Sequence, residues 1–243
     1  MSFPVAIPSK DKHMVTLHKE GPLYILHMHN ADNRFEAAFI AALNQALDIV
    51  EQAYHSAEDL EDTALVTIGN DKIYSNGLNL EHAMLDVTFM DKYLALLKRI
   101  LTFPVPTVAA LNGHAFAGGF MMAIAHDYRV MRSDRGFLCM NEVDLPAPLA
   151  PGMAAIIREK LAPHTYRNMI LQGHRFNAKE ALEEHIVDEI AENSKVLDTA
   201  KALALKWAPK AKSGVVYKQL KDEMYTNVVA KLTIPYHRLA PKM

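Results

Sequence analysis

The chain has 243 residues, half of them hydrophobic, with a formal net charge of −2 and a pI near 6.6. That length and apolar content suit one or two domains around a sizeable core, and the near-neutral balance argues against nucleic acid as the main partner, because phosphate backbones call for a clustered basic surface. A single cysteine, Cys139, excludes an internal disulfide. The opening MSFPVAIPSK lacks a basic segment followed by a long apolar one, and no apolar run reaches the ~18 residues of a membrane span. These features point to a soluble, intracellular protein with no membrane insertion.

In chain order, MVTLHKEGPLYILHMH reads as two short strands around the turn Glu20-Gly21-Pro22. From Phe35 the apolar positions Phe35, Phe39, Leu43, Leu47, Val50 and Tyr54 keep helical spacing. TALVTIG is a β-branched run, read as a buried strand, and ends in the polar loop NDKIYSNGLNLEH. A helix from Phe89 to Leu101 stops at FPVP, where prolines forbid continuation. TVAALNG, YRVMR and GFLCMNEV are further strands, and PGMAAIIREKL opens a helix with proline in its first turn. Two longer helical patterns, around KVLDTAKALALKWA and VVYKQLKDEMYTNVVAKL, close the chain. Strands alternating with helices to about residue 190 predict an α/β core with largely parallel pairing, followed by an α-helical tail.

Two loops share a design: YSNGLN at 74–79 and HAFAGG at 114–119 each follow a predicted buried strand and expose glycine. Neither contains GK[ST] or GxGxxG, so neither is a phosphate cradle. No GxSxG elbow exists either, which makes Ser75 a poor nucleophile despite His126 and Asp127 elsewhere. Each loop alone reads as a tight turn; together they also fit two bare N–H donors converging on one oxygen, an oxyanion hole. The twelve histidines include His27 and His29 on one strand face, but no HExxH and no Cys/His cluster accompanies them, so no metal site is expected.

KIYSNGLNL, followed by PTVAALNGHAFAGGFMMAIAHDYRVMRSDRGFLCMNEVDL, resembles the crotonase (enoyl-CoA hydratase/isomerase) superfamily. Within it the likeness is to the plant-type peroxisomal Δ3,Δ2-enoyl-CoA isomerases. It spans most of residues 14–190 and is strongest over 104–145. The resemblance implies a crotonase-like spiral of ββα units over 1–190 carrying an acyl-CoA site, and a C-terminal helical region over 191–243 for packing or oligomerisation. It also implies a homotrimer, or a hexamer of two trimers. The partner would be an acyl-CoA thioester, with CoA part of the substrate and no further cofactor.

Carried onto this chain, the resemblance makes Asn76 and Gly118 the oxyanion donors, with Ser75, Gly77, Leu78 and Met121 around the substrate and Arg34 towards the CoA nucleotide. Hydratases of the superfamily carry two glutamates. The first position is Met121 here, and the second is Glu142. Moving a double bond from C3–C4 to C2–C3 needs only one base, so the pattern implies an isomerase with Glu142 as that base. A hydratase, or a non-catalytic acyl-CoA-binding homologue, is the alternative. Asp144 shares a face with Glu142 if the strand continues, and would be a second carboxylate. The ending HRLAPKM resembles a peroxisomal address, with the cytoplasm as the alternative location.

Overall fold

A computed structural model describes residues 2–70, 72–86, 88–145 and 148–236. The terminal Pro-Lys-Met at 241–243, on which the peroxisomal expectation rests, lies outside the described residues. The chain enters through three antiparallel strands, β1 (Val5–Ile7), β2 (Val15–Glu20) and β3 (Leu23–Met28), and then α1 (Ala37–His55). The helix forms on the stripe read from the sequence: Phe39, Leu43, Leu47, Val50 and Tyr54 are all buried.

Three rounds of one pattern follow. The first is β4 (Ala64–Ile68), β5 (Ile73–Ser75), α2 (Leu80–Leu85) and α3 (Phe89–Leu101). The second is β6 (Thr107–Leu111), β7 (His114–Phe116) and α4 (Gly118–Ala125), and the third β8 (Tyr128–Arg132), β9 (Leu138–Cys139) and α5 (Pro151–Lys160). The first strand of each round joins a seven-stranded sheet ordered β1-β2-β3-β4-β6-β8 and completed by β10 (Glu189–Ala191). The second joins a small parallel sheet, β5-β7-β9. Each round advances one strand in both sheets, which is the expected spiral of ββα units.

Both faces of the large sheet are covered. Leu65, Ala109 and Leu111 belong to the core beneath α1, α3 and α4, while Ala64, Val66, Val108 and Val130 pack with Val196, Ala200, Leu203 and Ala204 of a later helix. Burial on both sides explains why β4 and β6 read as unbroken apolar runs.

The remaining elements are α6 (Pro163–Gln172), α7 (Ala178–Glu183), α8 (Val196–Trp207), α9 (Val215–Met224) and α10 (Thr226–Leu232). The boundary expected at 190/191 falls within β10, which pairs in parallel with β8. The last helical pattern is two helices, broken at the buried Tyr225 rather than at a proline or glycine. No helix among the described residues is long and apolar enough to cross a membrane.

Candidate active site

The loop after β5 is sewn to the segment preceding α1. Asn33, fully buried at φ 53°, donates from Nδ2 to the Tyr74 carbonyl at 3.0 Å. The Ser75 hydroxyl donates to the Asn33 carbonyl at 2.7 Å and accepts the Gly77 N–H at 3.2 Å. Asn76 gives its backbone N–H to the Asp32 carbonyl at 3.0 Å, and its Nδ2 to the Asp32 carboxylate at 3.0 Å. One expectation is corrected by these bonds. The Asn76 N–H is consumed within the fold and is not a bare donor. The Ser75 hydroxyl is buried and engaged on both sides, stapling the loop.

The bare amide lies two residues further along. Phe35 donates to the Gly77 carbonyl and accepts from the Asn79 N–H, both at 2.8 Å, bridging Leu78 in parallel register. A parallel bridge of this form turns the bridged residue's own N–H to the opposite side. Among the described residues the Leu78 N–H has no acceptor.

The second loop turns sharply from β7 into α4. Ala117 gives its N–H to the Cys139 carbonyl at 2.8 Å and takes φ 46°, ψ −118°, a conformation L-residues rarely adopt. Gly118 follows as the first residue of α4. Its N–H has no intrahelical partner and no acceptor among the described residues. The two glycines here have different reasons. A Cβ on Gly119 would stand 2.1 Å from the Ser75 carbonyl oxygen, so this glycine lets α4 lie against β5. A Cβ on Gly118 would meet side chains, Leu78 Cδ2 at 2.9 Å and Tyr93 Oη at 3.1 Å. The loops abut, for a Cβ on Gly77 would come within 3.1 Å of the Gly118 nitrogen. Met121, one helical turn on, is fully buried in the main core and brings no titratable group.

Glu142 is reached differently from the expectation. The strand expected over GFLCMNEV is only two residues long, and Glu142 sits on the turn that follows, with the Asp144 N–H donating to the Asn141 carbonyl at 3.0 Å and the Leu145 N–H to the Glu142 carbonyl at 3.2 Å. Glu142 and Asp144 therefore do not share a strand face. Asp144 is exposed, and its carboxylate lies beside Gly173, 3.0 Å from where a Cβ there would be. Glu142 is half-buried, and its Oε2 has no hydrogen-bond partner among the described residues. Burial pushes its pKa above the ordinary carboxylate value.

Tyr93, from the buried stripe of α3, donates to the Gly118 carbonyl at 2.6 Å. Burial first, and then the nearby Glu142 carboxylate, hold its phenol well above the usual tyrosine pKa. Arg34 is half-exposed and donates to the Asp32 carboxylate at 2.7 Å, on the same turn that holds Asn76. Burial alone would raise Asp32, but hydrogen bonds from Arg34 and Asn76 outweigh it and bring the carboxyl below its ordinary value. Asn33 and Tyr93 escape the sequence reading, and Phe35, expected to open the helical stripe, instead lies ahead of α1 and bridges Leu78. Only Tyr93 carries a local signal: a tyrosine on a buried stripe needs a partner for its hydroxyl.

The site thus brings two apposed loops with free amides near an unpartnered carboxylate. Residues 21–237 match the family model described as enoyl-CoA hydratase/isomerase. The chain belongs to the enoyl-CoA hydratase/isomerase family. Enoyl-CoA delta isomerase 3 of Arabidopsis thaliana is 32% identical over 239 residues, covering 93% of this chain and 98% of its own. Enoyl-CoA delta isomerase 2, peroxisomal, of the same plant is 33% identical, covering 87% and 92%. Among solved structures, the human mitochondrial delta3-delta2-enoyl-CoA isomerase superposes with a TM-score of 0.80 at 19% identity, over 90% of this chain and 86% of that one. The fold is thus the α/β crotonase fold of this family.

Proposed function

We propose that the chain is a Δ3,Δ2-enoyl-CoA isomerase. Glu142 removes a proton from C2 of a 3-enoyl-CoA. The electron pair of the broken C–H bond delocalises onto the thioester oxygen, giving a dienolate, and Glu142 then returns the proton to C4 as the double bond settles between C2 and C3. The N–H groups of Leu78 and Gly118 receive the developing oxyanion, and the N-terminus of α4 adds its partial positive charge. Each step begins and ends on groups of the chain and the substrate, so the reading assigns no resident cofactor; CoA is part of the substrate. Arg34, presented at the rim by Asp32, is assigned to the CoA phosphates.

The observation that carries this reading is one half-buried carboxylate of raised pKa with an unpartnered oxygen, while the helix position at which hydratases of the superfamily carry their first glutamate is the buried thioether of Met121. Hydration requires activating a water and protonating carbon, work that two carboxylates usually share. Isomerisation moves one proton on one ligand, and a base made more basic by burial suits a carbon acid. The relatives named enoyl-CoA delta isomerase support the same choice. Incubation with trans-3-hexenoyl-CoA tests it. Appearance of 2-enoyl-CoA is the expected result, 3-hydroxyacyl-CoA as the main product would establish a hydratase, and binding without turnover a non-catalytic homologue.

The assembly we assign is a homotrimer. The number three follows the family resemblance; the surface assigned to self-association is α9, which turns Lys221 inward and leaves Val216, Leu220 and Met224 exposed at four-residue spacing. The compartment we assign is the peroxisome, supported by the location in the names of two Arabidopsis relatives. A fluorescent fusion of the whole chain that stays diffuse in the cytosol would overturn it.

A further inference from the structure

Tyr93 is the polar group at this site to which the reaction above gives no role. Its side chain has no exposed surface, and its hydroxyl donates to the Gly118 carbonyl at 2.6 Å. The same oxygen lies 3.1 Å from the point a Cβ on Gly118 would occupy, so it borders the space into which Gly118 faces. The ring packs against Phe35, with centroids 5.0 Å apart. Phe35 in turn holds the other loop, through its backbone bonds to Gly77 and Asn79 on either side of Leu78. One side chain therefore reaches both donors: the hydroxyl grips Gly118 directly, and the ring backs the residue that orients Leu78. With the phenol held protonated by burial, the grip persists at every pH where Glu142 works as a base.

An oxyanion hole acts through donors fixed before charge develops, and small misplacements are costly. A carbonyl in the first turn of a helix ordinarily receives only the amide four residues on. Here a second donor from another helix fixes the residue whose N–H must aim at the substrate. The bond lies at the one place where α4 begins after the strained Ala117. From this geometry we infer that Tyr93 is a positioning residue that sets the aim of both oxyanion donors. The inference rests on the isomerase reading for the identity of the substrate.

Tyr93→Phe keeps the ring and its contact with Phe35 and deletes the grip on Gly118. Two readouts separate this role from general support. The first is steady-state kinetics with a 3-enoyl-CoA. The expected kcat is lower by about 10- to 10²-fold, with KM within about twofold and the acid limb of the pH profile unmoved, since burial and not Tyr93 raises Glu142. The second is the infrared stretch of a ¹³C-labelled thioester carbonyl in a bound saturated acyl-CoA, which needs no turnover. It should move to higher frequency in Tyr93→Phe as polarisation is lost. A 3-fluorotyrosine at position 93 keeps the ring and strengthens the donor, so it should move the stretch below the wild-type frequency, and it tests the same point if Tyr93→Phe fails to fold. An unchanged kcat, or an unchanged carbonyl stretch, overturns the proposal. A shifted acid limb also overturns it, because Tyr93 would then act through Glu142. Wild-type protein that polarises the bound carbonyl but does not isomerise a 3-enoyl-CoA would sink the isomerase reading and leave the Tyr93 test standing.

Discussion

As the proposed base, Glu142 would serve chemistry at the expense of the fold. Its carboxyl is half-buried, one oxygen lacks a partner among the described residues, and its pKa is raised by loss of solvent. A group whose folded pKa lies above its unfolded value binds its proton more tightly in the native state. Its favourable contribution is therefore complete below the unfolded pKa and is lost as pH rises through the folded one. At neutral pH the native protein carries the cost of a poorly solvated carboxylate. Glu142→Gln removes that charge while keeping the shape, and two opposite effects are expected. Isomerase kcat should fall by at least the 10²–10⁴-fold typical of a general base. The melting temperature at pH 7 should rise, by about 2–4 °C for each kcal/mol relieved, and the gain should vanish under acid conditions where the wild-type carboxyl is protonated. Wild-type activity should decline with acid at a pH above the usual glutamate range. Asp144→Asn, in which the altered group is exposed beside Gly173, should keep near wild-type turnover. A dead Asp144→Asn beside an active Glu142→Gln would move the base to Asp144.

At the scale of elements, the entry into α4 separates packing from chemistry within two adjacent glycines. Gly119→Ala sets a methyl 2.1 Å from the Ser75 carbonyl, and backbone cannot step aside as a flexible side chain can. The expected outcome is loss of the folded state, read as an early thermal transition or insoluble expression. Gly118→Ala presses mainly on the end of Leu78 and the Tyr93 hydroxyl. It should fold, bind acyl-CoA weakly and lose about 10²–10³-fold in kcat, the typical cost of one oxyanion donor. In the sequence α1, α3, β4 and β6 are legible, because each carries its own period or apolar run. The two- and three-residue strands β5, β7 and β9 are too short for any period to register, so Glu142 is expected on a strand that has already ended. The choice between Asn76 and Leu78 is also invisible locally. It is made by Asp32 and Phe35, more than forty residues away, which take one amide and turn the other outward. Tyr93 is likewise hidden in a stripe whose other members are plain core.

At the scale of the whole molecule, a buried ion pair fastens α9 to the spiral. Lys221 of α9 reaches the Asp127 carboxylate at 2.7 Å and the Phe103 carbonyl at 3.0 Å, and Asp127 also accepts the Thr107 N–H at 2.9 Å. Lys221→Met would strand that carboxylate in the interior, which costs about 3–5 kcal/mol, and the urea midpoint should fall accordingly. The inward lysine also fixes which side of α9 faces out. Val216, Leu220 and Met224 stand at i, i+4 and i+8, the last two more than 60% exposed, so they form one continuous apolar strip on a helix that cannot rotate without breaking the Lys221 pair. A monomer gains nothing from such a strip, whereas a second copy presented with its own would bury both. The pair Leu220→Glu and Met224→Glu places two charges on the strip and leaves Lys221, Glu142 and both oxyanion loops untouched. On the homotrimer proposed above, the wild-type chain should sediment at about three times its 27.2 kDa, and the double variant at the monomer mass with its melting transition retained. A wild type that sediments as a monomer, or a double variant that stays trimeric, would show that α9 is not the surface on which the copies meet.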